Sequence, residues 1–232
     1  PWGAMEVLGL APACNTVAAV ATCLTLIVAL FAGPLVAWEV EPAAAGEPVG
    51  AILRDVRDVF ARWREDRASA VVAVRNLIVG PAAEEFVFRF VLIPLHVLQG
   101  HSIAASIVYS SLWFGVAHLH HIVELARRGM LRSYIARAAL FQLAYTTVFG
   151  CIAGAFAVAT GCGLGVIAAH SFCNAMGFPD VDVFRRTRGW TRAVIAGAYV
   201  AGIAAFWYMA THWLTSDTMP CVIRERVRGD VK

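Results

Sequence analysis

The stretch GPAAEEFVFR, residues 80–89, sets Glu84, Glu85 and Arg89 inside a run otherwise made of apolar side chains. Ionisable groups in such surroundings are expensive, so each is a candidate for function. On a helix, Glu85 and Arg89 lie four residues apart on one face, in the favourable order for an ion pair, while Glu84 points about 100° away. One carboxylate can then be neutralised by the arginine and the other is available for chemistry. A structural ion pair holding two helices together accounts for only one of the two glutamates. A second cluster, FGVAHLHH, carries His118, His120 and His121. His118 follows Phe114 by one helical turn, whereas His120 and His121 suit capping or interfacial roles. A third, HSFCN, stacks His170 and Asn174 on one helical face, where a hydrogen-bonded pair joining helices is the plainer reading. Taken together, a carboxylate, two histidines and an amide are the parts of a hydrolytic site. A poorly solvated glutamate is a better base, a neighbouring histidine can share the proton and orient a water, and an imidazole N–H beside an amide NH2 can meet a developing oxyanion.

The elements that must position these groups are membrane helices. The 232 residues are 59% hydrophobic and only 15% charged, and the mean hydropathy is +0.68. That composition excludes an ordinary soluble domain. About 20 apolar residues cross the hydrocarbon, and six segments meet or approach that length. They run about 15–38, 71–98, 102–120, 134–160, 163–178 and 191–214. The expectation is an all-α, polytopic membrane bundle of about six or more spans, forming one multi-pass domain over 1–232. Residues 39–70 read as a polar linker, 75–180 as the motif core and 215–232 as a polar tail. The Gly80-Pro81 pair predicts a break, with Pro81 opening a new helix. Arg54, Arg57, Arg62, Arg64, Arg67, Arg127, Arg128, Arg132, Arg185, Arg186 and Arg188 fall on one side of this arrangement, which the positive-inside rule makes cytosolic. The tail, with Arg224, Arg226, Arg228 and Lys232, would fall on the other side, so either the last segment does not cross simply or the tail is a tolerated exception. The net charge of +3, with arginines in loops, points to membrane orientation and not to nucleic acid. Gly150 and Gly154 form a G-x-x-x-G suited to close helix packing. Six scattered cysteines, Cys14, Cys23, Cys151, Cys162, Cys173 and Cys221, form no C-x-x-C pair and read as small apolar residues. No signal-peptide pattern opens the chain, and its first residue, Pro1, suggests a fragment or a processed form.

The three motifs in order, E-E-x-x-x-R (Glu84, Glu85, Arg89), F-x-x-x-H (Phe114, His118) and H-x-x-x-N (His170, Asn174), resemble those of the CAAX protease and bacteriocin-processing family of intramembrane glutamate proteases. The likeness covers about residues 75–180 and tightens in RNLIVGPAAEEFVFR, FGVAHLHHIVE, FQLAYTTVFG and HSFCNAMGFP, which look like the prenyl-endopeptidase branch. The resemblance implies a hydrolase that removes the last three residues of farnesylated or geranylgeranylated CAAX proteins, Ras-like small GTPases among them. It implies an endoplasmic reticulum membrane location, with the site open to the cytosolic side and the prenyl chain arriving from the bilayer. By the same likeness Glu84 and His118 activate the water, and His170 and Asn174 stabilise the oxyanion. Glu85 and Arg89 support the motif helix, Phe114 packs beneath it, and no cofactor or metal is expected.

Three rival readings share these residues. A membrane zinc peptidase would use His118, His170 and Glu84 or Glu85 as ligands, although the H-E-x-x-H signature is absent. A di-iron oxygenase needs more histidine ligands than this chain's seven supply in clusters, since His96, His101 and His212 stand alone. A non-catalytic membrane scaffold could keep the fold without turnover, against which the intact Glu84, His118 and His170 speak.

Overall fold

The computed structural model describes residues 16–214, apart from the side chains of His121, Val123 and Glu124. Cys14, Cys221 and the basic tail lie outside the described residues. Among the described residues the chain is all-α, with no strand. In chain order the helices are α1 (Thr16–Leu30), α2 (Ala32–Ala44), α3 (Ala51–Glu65) and α4 (Arg67–Val74), then a first π turn (Arg75–Val79) and α5 (Gly80–Glu85). A second π turn (Phe86–Leu92) leads into α6 (Ile93–Leu98), followed by α7 (Ile103–Ala117), a 3-10 turn (His118–His120) and α8 (His121–Arg127). The chain closes with α9 (Arg132–Thr160), α10 (Gly163–Met176), α11 (Val183–Arg186) and α12 (Gly189–Trp213).

Three helical stretches are long and apolar enough to cross a membrane: Ile103–Arg127, Arg132–Thr160 and Gly189–Trp213. The pair α1 and α2, bent by 56° at Phe31, meets the same length and composition only when the two helices are taken together, as a broken span or a re-entrant loop would be. The bend has a local cause, because Pro34 has no N–H to return to Leu30 and the Phe31 N–H is shared between Ile27 O and Val28 O, 3.1 Å from each. The two remaining expected crossings are present as helix but in shorter pieces. The segment 71–98 is helical but divided by its π turns and carries Arg75, Glu84, Glu85 and Arg89. Helix α10 has 14 residues, a length of about 21 Å against a hydrocarbon core of about 30 Å. The break expected at Gly80-Pro81 is a change of winding and not an interruption: the Gly80 N–H bonds Arg75 O, five residues back, and α5 begins at Gly80 itself.

The stretch expected as a polar linker, 39–70, is mostly helix. Apolar side chains recur at Ile52, Val56, Val59 and Trp63 of α3, the spacing of one helical face. Glu39 caps its start: Oε2 accepts from Gly50 N and Ala51 N at 2.9 and 3.0 Å, and Oε1 from Ile52 N at 2.9 Å. Asp66 does the same for α4, accepting from Ala68 N at 3.0 Å and Ser69 N at 3.2 Å.

The chain divides into two compact units. One has Ala82–Val166 as its main described part and the other consists of Val20–Pro81 with Ile167–Thr215. In the first, α7 packs along α9 through small residues. A Cβ placed on Gly150 would lie 2.9 Å from Ser111 Cβ, and one on Gly154 would lie 2.8 Å from Ile107 Cγ2. The G-x-x-x-G pair therefore sits where two helices approach too closely for any larger side chain. Gly150→Val is expected to lower the stability of the detergent-solubilised protein by about 1–3 kcal/mol, read as an earlier thermal unfolding. An unchanged midpoint would mean that the helices are not held this close.

In the second unit α2 packs on α12, where the Tyr199 ring covers Gly33, and Phe31 meets Phe172 edge to face at 5.5 Å between centroids. Near the end of α2, Arg186 joins Glu41 at 2.8 Å, and it also meets Asp180 at 2.6 Å. The arginine beside Asp180 holds its carboxyl below the ordinary carboxylate range. Cys23, Cys162 and Cys173 are buried and Cys151 is half-buried, as small apolar side chains would be.

Candidate active site

Glu84 and Glu85 close the short helix α5, between the two π turns. A π turn winds wider than an α turn and leaves carbonyls in want of donors, a feature often found at functional sites. In the second π turn Ser110 of α7 answers that need: its buried hydroxyl donates to Phe88 O. Sequence reasoning missed Ser110, because a serine inside an apolar helix gives no sign of which carbonyl it will serve.

Glu85 and Arg89 pair as the four-residue spacing predicts. Arg89 Nε lies 3.0 Å from Glu85 Oε2, with side chains 1% and 0% exposed. The guanidinium carbon stands 4.3 Å from the centroid of the Phe114 ring, and Phe88 closes edge to face on Phe114 at 5.2 Å. The Nη1 and Nη2 atoms of Arg89 are buried with no hydrogen-bond partner among the described residues. Its charge is thus balanced by one carboxylate and one aromatic face, a contact worth about 2 kcal/mol when desolvated.

Phe114 has a second duty. Its ring centroid lies 4.3 Å from that of His118, and its carbonyl lies 2.8 Å from His118 Nδ1. A carbonyl only accepts, so Nδ1 carries the proton and, in the neutral ring, Nε2 presents a lone pair. That lone pair faces Glu84: Nε2 and Oε2 are 3.9 Å apart, with the histidine 19% and the glutamate 37% exposed. The separation is too long for a direct hydrogen bond, whereas the two acceptors served by one water stand about 4 Å apart when each bond is about 2.8 Å. The Glu84 Oε2 to His118 Nε2 separation is thus one that a single bridging water would span. The F-x-x-x-H spacing supplies both the support for the imidazole and its tautomer.

His120, at the end of the same turn, is exposed with Nδ1 2.8 Å from Ala117 O, in keeping with a capping role. The described residues contain no group of three or more His, Cys, Asp or Glu side chains placed to hold a metal ion.

His170 and Asn174 belong to the second unit, one turn apart on α10. His170 is buried and Asn174 is exposed. The Asn174 amide donates from Nδ2 to Asn76 O at 3.0 Å, reaching the first π turn. All seven expected site residues thus lie in helical turns, with Glu85, Arg89 and Phe114 accompanying the Glu84 and His118 pair and the other two on α10.

A family model described as type II CAAX prenyl endopeptidase Rce1-like matches residues 66–176. Over those residues the chain resembles the Rce1-like family. The match begins at the Asp66 cap, ends with α10 at Met176, and contains every one of the seven. Among curated proteins the chain is 37% identical over 134 residues to CAAX prenyl protease 2 of Homo sapiens, covering 57% of this chain and 40% of that protein. It is likewise 37% identical over 142 residues to CAAX prenyl protease 2 of Arabidopsis thaliana, with 60% and 43% covered. For CAAX prenyl protease 2 of Saccharomyces cerevisiae the figures are 29% over 163 residues, with 68% and 49% covered. The chain thus spans less than half the length of these relatives. No solved structure matches it.

Proposed function

We propose that this membrane protein is an intramembrane endopeptidase that removes the C-terminal tripeptide from farnesylated or geranylgeranylated CAAX proteins. The observation that carries the reading is the opposition of Glu84 Oε2 and His118 Nε2 at 3.9 Å, with the imidazole proton committed to Phe114 O. A water donating to both acceptors keeps its lone pair for the carbonyl carbon of the prenylated cysteine. As the C–O bond forms, one water proton passes to the Glu84 and His118 pair. The carbonyl oxygen becomes an oxyanion, for which the His170 imidazole and the Asn174 amide are the donors. Collapse of that intermediate breaks the C–N bond, the stored proton goes to the leaving amine, and the second proton leaves with the new carboxyl group. Glu85, Arg89 and Phe114 keep α5 and α7 in register while this happens.

The substrate class rests on the Rce1-like stretch, and the apolar helices around it suit a lipid-borne prenyl chain. Ras-like small GTPases are substrates of the expected kind. A location in the endoplasmic reticulum membrane, with the site open to the cytosolic side, belongs to the same proposal. The test is tripeptide release by the chain in lipid vesicles, with farnesylated and unprenylated copies of one CAAX peptide and with and without a strong chelator. Release from the farnesylated peptide alone, surviving the chelator, is expected. Equal release from the unprenylated peptide would sink the substrate, and a loss restored only by zinc would sink the water-activating pair.

A further inference from the structure

The first π turn leaves one carbonyl without a backbone donor, and the sequence identifies which. The Gly80 N–H is committed to Arg75 O, although in an α register it would serve Asn76 O. In the π register Asn76 O looks instead to the N–H of residue 81, which is Pro81 and has none. The missing donor comes from 98 residues further along the chain, as Asn174 Nδ2, 3.0 Å from Asn76 O. A carboxamide nitrogen carries two N–H groups in one plane. Fixing the first on Asn76 O fixes the direction of the second, on an exposed side chain one turn from His170.

We propose that Pro81 is a positioning residue for Asn174: by withholding an N–H from Asn76 O, it creates the anchor that presets the second amide N–H as an oxyanion donor. This rests on the oxyanion role proposed above. A residue at 81 with its own N–H lets the backbone reclaim Asn76 O in either register, from residue 81 in a π turn or from Gly80 in an α turn. The Asn174 amide is then released to rotate. Pro81 is fully buried, so its removal is tested with two variants. Pro81→Ala restores the N–H and leaves a small void, and Pro81→Val restores it with similar volume.

Two readouts separate the anchor from the catalytic reading. The first is hydrogen exchange of the Asn174 side-chain amide in 15N-asparagine-labelled protein, its signal identified by loss in Asn174→Ala. Both Pro81 variants are expected to exchange at least about tenfold faster than wild type, a result that needs no turnover. The second is kinetic. Removing one oxyanion donor typically costs about 100 to 1000-fold, so freeing it to rotate is expected to lower kcat at least about tenfold with KM unchanged. Adding either Pro81 variant to Asn174→Ala is expected to cause no further loss. Equal exchange in wild type and both variants overturns the anchor. Faster exchange with kcat unchanged, or a full further loss on the Asn174→Ala background, overturns the positioning role. A wild-type chain that releases no tripeptide overturns the proposed function instead, while the exchange result still judges the anchor.

Discussion

Glu84→Gln is expected to lower kcat for tripeptide release by about 100 to 10,000-fold, the range typical of losing a general base, with KM little changed. The amide keeps the shape of the carboxylate but cannot take a proton, so a water held between residue 84 and His118 is no longer activated. Glu84 is part-exposed and faces His118 Nε2, so this substitution should leave folding almost untouched. Glu85→Gln is the control one residue away. It breaks the buried pair with Arg89 and should lower stability, yet reduce kcat per folded molecule less than Glu84→Gln does. Equal expression and unfolding of Glu84→Gln, together with a larger kcat loss than Glu85→Gln, would assign the chemistry to Glu84. The reverse ranking would move it to Glu85.

Arg89→Met is expected to have the largest effect on stability. The guanidinium is almost wholly buried between the Glu85 carboxylate and the Phe114 ring. Removing it leaves a buried carboxylate without its counter-charge, which typically costs about 3–5 kcal/mol. Against a total stability of about 5–15 kcal/mol for ordinary domains, that is a large share. The diagnostic is the double substitution Glu85→Gln with Arg89→Met. Neutralising both partners removes the unpaired charge, so the double variant should unfold later than Arg89→Met alone. Thermal unfolding of the three proteins in one detergent measures this. A double variant as unstable as the sum of the singles would contradict the pairing.

Much of this site was legible because charge in an apolar run is rare. The i, i+4 spacing of Glu85 and Arg89 is enough by itself to name their pairing, and the F-x-x-x-H spacing puts the Phe114 carbonyl beneath the imidazole it orients. The all-α membrane character follows from the composition together with apolar runs of about 20 residues. What remained hidden depends on winding and on backbone atoms. A π turn keeps the apolar composition of its neighbours, so the stretches Arg75–Val79 and Phe86–Leu92 carry no periodic sign of their wider winding. Every residue type brings the same carbonyl, so nothing in Phe88 announces that Ser110 will donate to it. The Asn174 bond to Asn76 becomes readable only once the π register shows that its partner is Pro81. The crossings near 71–98 and 163–178 differ from expectation for similar reasons, since apolar length in sequence does not report π interruptions or the early end of α10 at Met176. The α1 and α2 bend was within reach, because Pro34 lies inside the first apolar segment.

In the proposed reaction Glu84 and His118 act as one unit on one water. The most direct test of this coupling is kcat for a farnesylated CAAX peptide measured for wild type, Glu84→Gln, His118→Ala and the double variant, at equal amounts of folded protein. Groups that act together are not additive, so each single variant should lose about 100-fold or more and the double should be little slower than the slower single. A Glu84→Gln protein as fast as wild type, or a double variant whose loss is the product of the two single losses, would contradict the account.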